Sequence, residues 1–206
     1  MLIVHHLNNS RSQRILWLLE ELGTPYEIKS YQRDATTNLA PIELEDVHPL
    51  GKSPVIEDDG HKIAESGAVV DFIVRKYGGG RLMPRSGSWE HEAYLEWLHY
   101  AEGSAMLPLM ISFYLMRLGE AAAPLQPRVN DEINRHMGYV NAALEGRDYL
   151  LGEFTGADVQ LSFAGEVARA LGKLEALPNL KAWVGRLHDR PAFKASIEKG
   201  GAYNLA

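Results

Sequence analysis

The sequence predicts an α/β domain followed by an all-α domain, on three observations. Over residues 1–80 strand and helix patterns alternate in the order β-α-β-α-β-β-α, which gives a small mixed sheet with helices on its faces. The stretch Gly78-Gly79-Gly80 through Pro84-Arg85-Ser86-Gly87-Ser88 is the clearest punctuation in the chain. Residues 88–206 then carry helical periodicity and no strand pattern.

Leu2-Ile3-Val4 opens the first domain as a short β-prone run, and a polar loop from His6 to Ser12 follows it. Ile15, Leu18, Leu19 and Leu22 fall at helical spacing, Gly23 ends that helix, and Pro25 forbids its continuation. Tyr26–Tyr31 reads as the second strand, so the first two strands form a parallel βαβ unit. Ala40–Val47 is a weak helical stretch with Pro41 at a tolerated first position. Pro54-Val55-Ile56 then starts a strand, Asp58-Asp59-Gly60 turns it, and His61–Ala64 returns. Ser66 is expected to cap a helix that carries Val69, Phe72, Ile73 and Tyr77 on one face.

In the second domain Trp89–Leu118 reads as a long helix bent at Gly103 and Pro108. Val129, Ile133, His136, Met137, Val140 and Leu144 line another helix, and Leu180, Trp183, Val184 and Leu187 a later one. Thr155 with Asp158 three residues on is a helix-starting capping box. Pro191 suits the first turn of a last helix.

Composition narrows the function. The 206 residues are 46% hydrophobic and 23% charged, the profile of an ordinary globular chain. A net charge of −6 argues against nucleic acid or an anionic membrane as the main partner. Met1–Ser10 has neither a basic leader nor a long apolar run, and Met106–Met116 is too short for a bilayer; a cytoplasmic protein is expected. Cysteine is absent, so a thiol reaction needs a thiol brought by a ligand. The histidines are scattered and His91-Glu92 begins no His-Glu-x-x-His motif, so neither a metal nor a resident cofactor is expected.

The Pro49–Tyr77 stretch carries the binding chemistry. Proline suits the start of a strand because it has no N–H, and it pushes Ser53 into an extended conformation. The Ser53 main chain is thereby a candidate to pair with an extended peptide, as an added strand does. Shortly after it, the helix opened by Ser66 offers oriented N–H groups to a carboxylate.

These residues resemble the cytosolic glutathione transferase superfamily, most of all the serine-type transferases of bacteria and fungi. The likeness runs through Ser10–Gly23, His48-Pro49-Leu50-Gly51-Lys52-Ser53-Pro54-Val55-Ile56, Glu65-Ser66, Phe154-Thr155-Gly156-Ala157-Asp158 and Arg190-Pro191-Ala192-Phe193, and so covers essentially the whole chain. It implies a thioredoxin-like first domain, an all-helical glutathione-transferase second domain and a homodimer. It also implies a cis Pro54 and glutathione as co-substrate. Ser53 would pair with the cysteinyl unit, Glu65 and Ser66 would hold the γ-glutamyl group, and Lys52 would meet the glycyl carboxylate.

The thiolate is the nucleophile, and a thiol of pKa about 8.5 is mostly protonated at neutral pH. Lowering that pKa by about two units takes roughly 2.7 kcal/mol of preference for the anion. A hydroxyl in the first βα loop and the positive end of the first helix are suited to supply it. Serine-type relatives place the active hydroxyl four residues before an arginine, here Arg14, which favours Ser10. Ser12 reads rather as a helix cap, Asn9 is an alternative donor, and His5 and His6 read as ordinary strand-end surface residues. Tyr100, Met106, Met110, Phe113 and Tyr114 are candidates for a hydrophobic electrophile pocket, and family geometry suggests Glu102 for the glutathione ammonium across the dimer. The activity expected is conjugation of glutathione to hydrophobic electrophiles. The rivals are disulfide or peroxide reduction on the same fold, and a non-catalytic binding module.

Overall fold

A computed structural model describes residues 1–201 and 203–205, and the chain separates into two compact units. The first takes residues 1–83 and 188–205, and the second residues 84–187.

The first unit is built on a four-stranded sheet in the order β2-β1-β3-β4, with β1 Leu2–Leu7, β2 Tyr26–Tyr31, β3 Val55–Asp58 and β4 His61–Ala64. β1 and β2 run parallel, Leu2 pairing Tyr26 and Leu7 pairing Tyr31. β3 is antiparallel to β1, with His5 opposite Val55, and β4 is antiparallel to β3. Helix α1 covers Gln13–Leu22, and Gly23 ends it at φ 65, a conformation that favours glycine. The predicted Ala40–Val47 helix shrinks to α2, Glu43–Val47. Helix α3, Ser66–Tyr77, packs on α1.

The first domain read from sequence ended at residue 80, whereas the compact unit also takes back the last helix. The reason lies on α1. The helix Pro191–Gly200 packs along it, Trp17 meets Phe193 edge-on at 5.3 Å, Gln13 Nε2 donates to Ser196 Oγ, and Arg190 makes a two-pronged pair with Glu21 at 2.6 and 2.9 Å. α1 is apolar on more than one face, with Ile15 through Leu19 all buried, so it needs a cover besides the sheet and α3.

The second unit is helical among its described residues: α4 Trp89–Tyr100, α5 Met106–Leu118, α6 Gln126–Ala143, α7 Gly156–Ala170 and α8 Pro178–Asp189, the last counted here through Leu187. The long Trp89–Leu118 reading is interrupted by a π-helical turn at Ala101–Ala105 that holds Gly103. Pro108 falls in the first turn of α5, directly after that π turn, where a missing N–H is tolerated. α7 is the core element, buried from Gly156 through Ala168. Its Gly165 admits the Trp183 ring, since a Cβ there would lie 3.0 Å from it and 2.9 Å from Val184. The last helix of the first unit, Pro191–Gly200, is α9.

Candidate active site

The candidate site is assembled from the C-terminal end of β1, residue by residue. The His5 carbonyl accepts the Ser53 hydroxyl at 2.8 Å, which ties the residue before Pro54 to the sheet. The Ser53–Pro54 bond is cis, and the β1–β3 pairing ends at His5 and Val55, so the Ser53 main chain lies just past the ladder. Lys52 is exposed beside it. The Leu7 amide donates to Ser12 Oγ at 3.2 Å, and the Leu7 carbonyl accepts from Ser10 Oγ at 2.8 Å.

Two expectations change here. His5 and His6 are buried rather than at the surface, because β1 is a central strand covered on both faces. Burial lowers the proton affinity of both, with Lys29 adding to the effect at His5. Ser12 stands at the N-cap position of α1 but does not cap it. Its backbone is helical there, and its hydroxyl turns inward to His6 Nδ1 at 2.8 Å.

Ser10 is buried as well. Its oxygen lies 2.8 Å from Ser12 Oγ and accepts the Ser12 amide at 3.2 Å, so in this structure the hydroxyl is engaged within its own loop. Asn9 is strained at φ 47, and its Oδ1 accepts the Asn204 amide at 2.7 Å. Arg33 was not foreseen. It reaches under the loop to the carbonyls of Asn8 at 3.2 Å and Asn9 at 3.4 Å, and Asn8 Oδ1 accepts its amide. A half-buried guanidinium held against this loop favours an anion nearby, and its own proton affinity is lowered by burial and by Arg11.

At the second half of the site, α3 begins at Ser66 and the N-cap is Glu65, so Ser66 is not the cap the sequence suggested. Its hydroxyl is the acceptor for buried Arg14, whose Nη2 donates at 3.0 Å; a guanidinium in the interior requires such an oxygen. The spacing that pointed to Ser10 therefore also marked the arginine that joins α1 to α3. Glu65 is exposed, at φ 68 and ψ 114, a sparsely populated region for a residue with a Cβ, and its side chain makes no capping bond. The first bond of the helix runs from the Val69 amide to the Glu65 carbonyl at 2.9 Å, so the first-turn amides have no partner inside the helix.

The candidates for a hydrophobic pocket all belong to the second unit. Met106, Met110 and Phe113 share one face of α5 by their spacing, with Met106 buried and the other two half-buried. Tyr114 is exposed, and the Tyr100 hydroxyl is paired with His136 Nδ1 at 2.9 Å. Glu102 is half-buried in the π turn. A recess of about 280 Å³ lined by Leu144, Arg147, Asp148, Asn179 and Arg186 contains none of the candidate residues. It is open and polar. No group of acidic and histidine side chains able to hold a metal occurs among the described residues.

A parallel βαβ unit, an antiparallel hairpin entered through a cis proline and a separate helical unit define a thioredoxin-like domain joined to a helical one. Residues 1–75 match the family description "Glutathione S-transferase, N-terminal domain", and residues 102–191 match "Glutathione S-transferase, C-terminal domain". Glutathione S-transferase 3 of Schizosaccharomyces pombe is 35% identical over 97% of this chain and 88% of its own. The crystal structure of a glutathione S-transferase from Actinobacillus pleuropneumoniae superposes with a TM-score of 0.87 at 31% identity, over 100% of this chain and 95% of that one. A glutathione transferase family member from Pseudomonas fluorescens, solved with two glutathione bound, does so at 0.79 and 25% identity, over 96% and 92%. The chain belongs to the glutathione S-transferase family. It is a glutathione transferase by every relative named here.

Proposed function

We propose that the protein conjugates the thiolate of glutathione to hydrophobic electrophiles. The observation that carries this reading is the helix start at Glu65–Ser66: a strained, exposed glutamate stands at the N-cap without a side-chain capping bond, and Arg14 joins the start of the helix to the α1 side of the site. A helix N-terminus favours a carboxylate, and a carboxylate beside it favours an ammonium; the γ-glutamyl group carries both. Ser53 would take the cysteinyl main chain and Lys52 the glycyl carboxylate. The sulfur would then lie at the first βα loop, where Ser10, by turning its hydroxyl outward, or Asn9 stabilises the anion. No resident cofactor is involved. Met106, Met110, Phe113 and the tyrosines Tyr100 and Tyr114 form the apolar side for the electrophile, methionine accommodating varied shapes. Exposed Leu107, Tyr114, Met116 and Leu118 on α5 support a homodimer, in which Glu102 reaches the partner's glutathione, in a cytoplasmic protein.

The second reading is glutathione-dependent disulfide or peroxide reduction. The absence of protein cysteine favours a form of it with two glutathiones in one site, and the Pseudomonas relative carries two. Conjugation to an aromatic halide measured beside reduction of a small disulfide separates the two. Conjugation is expected to dominate, and Ser10→Ala to lower it about tenfold or more, a loss of roughly 1.4 kcal/mol of anion stabilisation. Disulfide reduction without conjugation supports the second reading. If Ser10→Ala leaves conjugation intact, the donor is Asn9 or Ser12.

A further inference from the structure

The role proposed for Ser10 leaves open where the thiol proton goes, and the interior behind that residue supplies a destination. His6 is 3% exposed, and its Nε2 lies 3.0 Å from the Gly200 carbonyl at the end of α9. A carbonyl only accepts, so Nε2 carries the proton and donates it. In the neutral ring Nδ1 is then bare and accepts the Ser12 hydroxyl at 2.8 Å. The Leu7 carbonyl is a second acceptor for this hydroxyl but lies farther off at 3.2 Å, so the proton goes to His6 and Ser12 accepts from Ser10, 2.8 Å away. Were Ser10 to give its proton wholly to the Leu7 carbonyl, two sets of lone pairs would face each other across that distance. The resting direction is therefore Ser10 to Ser12 to His6.

The close approach of α9 is built in. A Cβ on Gly200 would lie 2.6 Å from Gln13 Oε1, 2.7 Å from Leu16 Cδ1 and 3.3 Å from His6 Nε2, so glycine lets α9 approach this closely without displacing the ends of Gln13 and Leu16. Amides from Leu7 to Ser12 Oγ and from Ser12 to Ser10 Oγ, each 3.2 Å, hold both oxygens whichever way the hydroxyl protons point. Ser10, at 5% exposure against 0% for Ser12, is the outer end.

We propose that the thiol of bound glutathione loses its proton along this wire and that His6 Nδ1 receives it. The S–H bond breaks as Ser10 Oγ takes that proton; the Ser10 proton passes to Ser12 Oγ, and the Ser12 proton to His6 Nδ1. The products are a thiolate and an imidazolium, and both serines stay neutral. Every bond in the chain has reversed, so His6 donates to Ser12, Ser12 to Ser10, and Ser10 to the sulfur. The state that stores the proton is thus the state in which Ser10 stabilises the anion. His6 and Ser12 act on the sulfur only through Ser10, as positioning residues.

The surroundings keep the transfer conditional. His5 alternates to the opposite face of β1, together with Glu57 and with Lys29, its partner on β2; the residue opposite His6 is Ser30. From α1 it is Gln13 that lies beside it, Glu20 being paired with Lys199 of α9 and Glu21 with Arg190. Burial lowers the proton affinity of His6 against the opposing pull of the Gly200 carbonyl, and no charged group among the described residues adds to either, so the ring is neutral at rest. The thiolate left at the far end supplies the compensating charge.

The relay rests on the glutathione reading, and the test keeps the two apart. Wild-type protein is titrated with glutathione and with S-methylglutathione, which has no thiol proton, and binding is measured separately by calorimetry. The His6 ring resonance is assigned by its loss in His6→Asn. It is expected to move to the imidazolium position with glutathione at neutral pH, to stay neutral with S-methylglutathione, and thiolate absorbance is expected with almost no proton released to buffer. Ser12→Ala should reduce the thiolate fraction about tenfold, one unit of thiol pKa, without weakening S-methylglutathione binding, and Ser12→Thr should restore it. Thiolate absorbance with a neutral His6 and about one proton released overturns the relay and leaves the glutathione site standing. Failure of both ligands to bind overturns the site itself and the relay with it.

Discussion

Two helix starts in this protein carry the same kind of sequence signal and are built in opposite ways. At α7, Thr155 accepts the Ala157 amide while Asp158 takes the Thr155 amide at 2.9 Å. The same carboxylate also accepts the Leu150 amide and the Trp183 indole N–H, each at 3.0 Å, and is fully buried. At α3 the serine named by the sequence caps nothing, the cap residue is a strained glutamate, and the carboxylate is exposed. One end is capped by its own side chains; at the other the cap residue makes no side-chain capping bond. A side-chain cap is a stability device, whereas a strained cap residue that makes no such bond is the kind of feature kept at functional sites.

The largest effect tests the capped end. Asp158→Ala leaves the Leu150 and Thr155 amides and the Trp183 indole without their acceptor in the core, and should destabilise the protein by about 3 kcal/mol or more. Urea unfolding measures it. A loss below about 1 kcal/mol would make this cap no more than ordinary and break the contrast. Glu65→Gly tests the other end in the opposite direction. Glycine tolerates φ 68, so stability should rise by about 1 kcal/mol, while glutathione affinity should fall about tenfold with the lost carboxylate. A variant that loses both stability and affinity would show that Glu65 is structural.

How much of this was legible depended on whether the signal was local. The βαβ unit, the hairpin and the Thr155–Asp158 box follow from periodicity and turn chemistry within a few residues, and all are present. Ser53 and Ser66 stand out by a neighbouring proline and a helix start, whereas Ser10, Lys52 and Glu65 gain their roles from the family resemblance. What sequence could not reach were contacts made across the fold. Arg33 meets Asn8 and Asn9 from beyond β2, Asn204 fixes Asn9 from the far end of the chain, and Gly200 meets His6 across nearly the whole sequence. Ser12 and Ser66 read as caps but each hydroxyl has a competing partner, His6 six residues back for Ser12 and Arg14 across the fold for Ser66. Two adjacent histidines at a strand end look like surface residues until α9 is known to cover one face.

The smallest effect separates the two regions by pH. His5 and His6 both have folded-state proton affinities below the ordinary 6.5, so below that pH the unfolded chain binds more protons than the native one. Stability should therefore be full above 6.5 and decline as pH falls toward the folded values, by at most about 1.4 kcal/mol per pH unit for each histidine. Asp158 has the opposite sign. Burial raises its carboxyl above the ordinary 3.8 despite the hydrogen bonds it accepts, so the native state holds that proton more readily and acid does not draw stability from the α7 start. Mild acid should thus loosen β1 and the first βα loop before α7. Amide hydrogen exchange on either side of pH 6.5 reads the order directly, and His6→Asn should make the decline shallower. Exchange that accelerates at α7 first would show that the buried carboxylate, not the pair of histidines, sets the acid limit.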